Sequence, residues 1–108
     1  MKEFLLRLEG MSAEQVAREA GRLRRGGDPA LGRWPGDLRL RLALCLLALE
    51  GAWGPWVRFY ALEGLGLDAA SLEEMLAAAR KVRSHPALGY ALAVGRLSWR
   101  ALVDLAWS

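Results

Sequence analysis

The sequence predicts an all-α fold: a compact bundle of about five to seven short helices around a central buried helical hairpin. Three observations carry this. First, 54% of the 108 residues are hydrophobic, and the excess is Leu and Ala, which are strong helix formers. Second, Val is sparse and Ile and Thr are absent, so the β-branched residues that favour strands are almost missing. Third, apolar residues recur at helical spacing between recognisable caps and breakers. A chain of this length forms one domain, residues 1–108, with room for a single modest core.

The first helix is short, over 2–9, with Phe4, Leu5 and Leu8 on one side. Ser12 and Gln15 stand in capping-box spacing and start a second helix, 13 to about 25. Val16, Ala20 and Leu23 mark its apolar face, and Arg18, Arg22 and Arg25 the opposite one. "GGDPALGRWPG" at 26–36 reads as a loop. Asp37 is placed to cap a helix over 38–51, which is apolar on all sides and therefore central. Gly51 to Pro55 interrupt it, and Pro55 suits the first turn of the next helix, about 54 to 65. Ser71 and Glu74 form a second capping-box pattern and predict a helix over 72–83. His85-Pro86 opens a helix over 86–95, and Ser98 caps a last one over 99–107.

Composition narrows the chemistry. The lone cysteine, Cys45, lies inside the most apolar helix and reads as a buried structural thiol. An intrachain disulfide and a cysteine metal cluster are both excluded, and no cofactor or metal is expected. "MKEFLLRLEG" carries charges among its apolar residues and is no signal peptide. The run "LALCLLAL" at 42–49 is far short of the roughly 20 residues of a membrane span. A cytoplasmic setting is expected, with no membrane partner. The composition is rich in Arg, Ala, Leu and Gly, lacks Asn and has one Gln, which fits a thermophile with a GC-rich genome. So apolar a small chain also points to a homo-oligomer assembled through apolar helices.

The least generic stretch is "GAWGPWVRFY" at 51–60. It follows the apolar helix "LRLRLALCLLALEGA" and precedes "ALEGLGLD" and the capped "AASLEEMLAAARKV". This order resembles the core of the carboxymuconolactone decarboxylase/alkylhydroperoxidase-D-like family, over residues 37–83. In that family an apolar helix, a break, a Cys-x-x-Cys helix with a His four residues on, and a capped helix follow one another. Here Trp53 and Trp56 stand where the two cysteines would be, and Tyr60 where the histidine would be. The acidic relay residue of some members falls at about Arg41. The resemblance implies a helical oligomer whose thiol peroxidase or disulfide-reductase chemistry is gone. Disulfide exchange needs a thiolate and a resolving sulfur, which indoles do not supply.

The leading reading is therefore a non-redox member with an apolar interface or a small apolar-ligand pocket at Trp53, Trp56 and Tyr60. Their i, i+3, i+7 spacing would put them on one helix face. A second reading is an enzyme of the decarboxylase type acting on a small acid or lactone, with Tyr60 and Arg58 or Arg41 as its polar groups. A third is an adaptor for nucleic acid or an acidic partner, using the basic patch between 22 and 41 that includes Arg22, Arg24, Arg25 and Arg33. Interspersed acids and a net charge of only +3 weigh against this last reading. His85 reads as a surface or capping imidazole, and Asp68, Glu63, Glu73 and Glu74 as acids at a helix start, favourable to its dipole.

Overall fold

The computed structural model describes residues 2–26 and 36–108. They form seven α-helices: α1 Lys2–Glu9, α2 Ala13–Arg25, α3 Gly36–Trp53, α4 Trp56–Phe59, α5 Ala69–Ser84, α6 Pro86–Ala93 and α7 Trp99–Trp107. A π turn, Tyr60–Gly64, continues α4. No strand occurs among the described residues. The expected loop 26–36, with Arg33, lies almost wholly outside the described residues.

Helix α3 is the axis of the bundle. Eight of its residues are buried, Leu40, Leu42, Ala43, Leu44, Cys45, Leu46, Leu47 and Leu49, and they point in every direction around the helix. Burying one leucine contributes about 1.5–3 kcal/mol, so this helix supplies much of the driving force. Its main neighbours are α2 on one side and α5 on the other. The centre is thus one helix clasped by two, and the short helix that follows α3 does not pair along it. That following helix is too short to cover α3.

The caps follow from local chemistry. The Ser12 hydroxyl accepts from the Gln15 amide, and the Gln15 side chain accepts from the Ser12 amide, at 3.2 and 2.8 Å, so the capping box forms. Ser98 caps α7 from one side only, its hydroxyl accepting from the Ala101 amide at 3.1 Å. Two expectations need correction. Asp37 lies inside the first turn of α3, not at its cap. Helix α5 begins three residues early because Asp68, not Ser71, caps it: the Asp68 carboxylate accepts from the Ser71 amide at 2.6 Å. That bond holds the Asp68 carboxyl below its ordinary value.

Among the described residues no helix is long and apolar enough to cross a membrane. The radius of gyration is 12.6 Å, close to the roughly 13 Å of a compact chain of this length.

Candidate functional site

The stretch 51–60 is divided by its own backbone. Gly54 adopts φ +59°, a left-handed conformation that favours glycine, and Pro55 follows it. The chain leaves α3 at Trp53 and enters α4 at Trp56 along a new direction. The i, i+3, i+7 rule holds only within one continuous helix, so the three aromatics do not share a face. Trp53 and Tyr60 turn inward and meet edge to face, with ring centroids 5.4 Å apart. Trp56 instead meets Phe59 edge to face at 6.5 Å. This second pair stands in solvent, with Trp56 71% and Phe59 63% exposed.

Tyr60 works as a clasp. Its hydroxyl donates to the Ala17 carbonyl of α2 at 2.9 Å, joining segments 43 residues apart. Burial pushes the phenol above its ordinary value, and Arg25 partly opposes this. Beneath the ring lies Gly64, where a Cβ would sit 3.0 Å from Tyr60 Cδ1. The π turn places that glycine there: the Leu65 amide donates to the Tyr60 carbonyl five residues back, at 3.1 Å.

The arginines that were grouped with Tyr60 have separate partners. Arg58 pairs with Glu73 of α5. Arg41 lies 3.4 Å from Asp37 and over the Phe4 ring, 5.2 Å from its centroid. Tyr60, Arg58 and Arg41 are thus held by three different elements. Cys45 is fully buried, and burial is the main cause that pushes its thiol up to about 12. At neutral pH it is protonated and sealed, which suits packing and not nucleophilic attack. Among the described residues no three His, Cys, Asp or Glu side chains converge on a point where a metal could sit. His85 is exposed at the junction of α5 and α6. Glu73 and Glu74 pair with Arg58 and Arg100.

Two surfaces remain. One is the aromatic face: Trp56, Phe59 and Leu62, all exposed, follow at three-residue spacing along α4 and the π turn. The other is an open cleft of about 790 Å³ between α2 and the π turn, with Arg18, Arg22, Arg24 and Arg25 on its walls beside Tyr60 and Leu65. The basic patch is therefore a property of α2. Arg39 lies over the Trp99 ring at 5.2 Å, away from it, and Arg33 lies outside the described residues. The spacing of Arg18, Arg22 and Arg25 on one side of α2 was the signal for this cleft. Apart from these, an apolar concavity of about 630 Å³ lies between α1 and α3 and is lined by Leu5, Leu6, Leu44 and Leu47. Comparisons of the chain with protein-family models, with curated proteins and with solved structures return no match.

Proposed function

We propose that this chain is a non-redox, self-assembling helical protein whose contact surface is the aromatic face of α4, in keeping with the alkylhydroperoxidase-D-like order of its elements. The carrying observation is the exposed Trp56–Phe59 pair. An aromatic ring offers about 150–250 Å² for burial, and leaving two of them in water forfeits that contribution. With Ala52, Pro55 and Leu62, also exposed, the apolar patch reaches on the order of 400–500 Å², a size that marks contact sites on small proteins.

The occupant of this face is a second copy. Beside it, Arg58 is held by Glu73 of α5, so no unpaired cation from this pair interrupts the apolar surface. Two-fold packing brings the same apolar patch of each copy face to face, so one surface serves both partners. Two such patches bury about 800–1,000 Å² in all, slightly below the roughly 1,200 Å² of standard stable interfaces. The expected species is accordingly a concentration-dependent dimer, or a larger ring if a second face contributes. Light scattering on wild type and on Trp56→Ser/Phe59→Ser tests this. A mass that rises with concentration in wild type and stays monomeric in the variant supports it. A wild-type monomer at every concentration refutes it.

A further inference from the structure

The arginine cleft on α2 is independent of the aromatic face, and its charge is concentrated. The chain carries 15 Lys and Arg against 12 Asp and Glu. Four of those arginines and one of those carboxylates line the cleft, which leaves eleven of each sign in the rest of the sequence. The residues lining the groove thus carry a net charge of +3, as large as that of the whole chain. The carboxylate, Glu19, is mostly covered and engaged by Arg22 and Arg7, which with Arg22 foremost hold it below its ordinary value. It anchors Arg22 in place rather than filling the cleft with negative charge. Arg24 is fixed too, its Nε donating to the Leu65 carbonyl at 2.8 Å across the groove.

Arg18 and Arg25 are exposed on the same wall, and no carboxylate among the described residues forms an ion pair with either. Arg18, Arg22 and Arg25 stand at i, i+4 and i+7. Like charges at these spacings repel and weaken a helix. Arg22 and Arg25 also lie in the last turn, where the helix dipole favours cations, but Arg18 lies outside that turn. The row covers about 10 Å at the 1.5 Å rise of a helix. It is a linear row of guanidinium groups in which Arg22 is held by Glu19 through Nε and Nη2, while Arg18 and Arg25 present the planar fork that matches phosphate oxygens.

We propose that the α2 cleft binds a linear chain of phosphate groups along the Arg18–Arg22–Arg25 row, with Tyr60 and Leu65 forming the opposite side and Arg24 tying the two sides together. Two sources share this chemistry, the backbone of a single-stranded nucleic acid and a free polyphosphate. The cleft is long enough for a few phosphates and carries a net charge able to neutralise about three of them.

The experiment is fluorescence anisotropy of a labelled single-stranded oligonucleotide with the full chain, paired with calorimetry using inorganic tripolyphosphate. Single-strand affinity falls with a log–log salt slope of about 0.7 per phosphate neutralised, so three phosphates give about a twentyfold loss between about 50 and 200 mM salt. Arg18→Ser/Arg25→Ser should weaken binding at least tenfold at low salt and reduce the slope by about 1.4. Its circular dichroism should match wild type. Arg96→Ser, an exposed arginine outside the cleft, should bind as wild type does. Binding of the strand without competition from tripolyphosphate names nucleic acid as the source, and binding of tripolyphosphate without the strand names the free chain. The proposal is overturned if neither probe binds at low salt. Binding insensitive to salt overturns it as well, as does equal binding by Arg18→Ser/Arg25→Ser.

Discussion

Tyr60→Phe removes one atom, the hydroxyl oxygen that joins the π turn to α2 by donating to Ala17 at 2.9 Å. The half-buried ring, its edge contact with Trp53 and its position over Gly64 all remain. A net hydrogen bond of this kind contributes about 0.5–1.5 kcal/mol. The Ala17 carbonyl lies within α2 and keeps the amide four residues on, so no acceptor is orphaned and the loss should be near 1 kcal/mol. For a domain of this size that lowers Tm by about 4 °C. Tyr60→Ala also removes the ring and its contact with Trp53, for a total of about 2–3 kcal/mol, or roughly 10 °C. Thermal unfolding followed by circular dichroism at matched protein concentration resolves the two, since assembly makes Tm depend on concentration. A Tyr60→Phe protein as stable as wild type would show that the clasp does not form. A Phe variant as unstable as the Ala variant would show that the ring contributes nothing, contrary to its packing.

Leu46→Ala in the fully buried centre of α3 should cost about 3 kcal/mol in chemical denaturation, whereas Leu6→Ala, on an exposed position, should stay within about 0.5 kcal/mol. Glu19 has its carboxyl lowered in the fold, so its contribution is present above the unfolded value near 4.5 and is lost as pH falls through the folded value. Glu19→Gln should therefore lower stability at neutral pH by about 0.5–1 kcal/mol and flatten the acid limb of a stability–pH curve; an unchanged limb would contradict the Arg22 and Arg7 pairing. Cys45 has its thiol raised from 9.0 to about 12, so stability should hold below pH 9 and decline as pH rises toward 12, where the unfolded chain ionises first. At neutral pH the thiol should resist aromatic disulfide reagents until the protein is unfolded, and rapid labelling of native protein would contradict its burial.

Much of the fold was legible because its signals are local. Ser12 and Gln15 reach each other's backbone within one turn, and Ser98 reaches Ala101 in the same way. The all-apolar surface of α3 announced a central helix, since no helix of that composition survives in water on any side. The start of α5 was misplaced because Asp68 and Ser71 are both cap-forming residues three positions apart. The choice between them falls to Asp68, whose carboxylate reaches the Ser71 amide. The aromatic stretch misled for a different reason. Helical spacing places residues on one face only while the helix continues, and the left-handed Gly54 ends it between Trp53 and Trp56. The partner of Tyr60 lies 43 residues away, and the π turn that seats its ring leaves no periodicity to read. The row of arginines on α2 was visible as a helix face, but its second wall comes from the π turn, which only tertiary packing supplies.

The central claim, that α4 presents its aromatics to a second copy, is tested most directly by isotope-filtered NOE measurements on a mixture of labelled and unlabelled chains at high concentration. Intermolecular contacts at the Trp56 indole and the Phe59 ring, and their disappearance in Trp56→Ser/Phe59→Ser, are the predicted result. Intermolecular contacts confined to another exposed apolar region, such as Tyr90 on α6 and Val94 just beyond it, with none at Trp56 or Phe59, would contradict it.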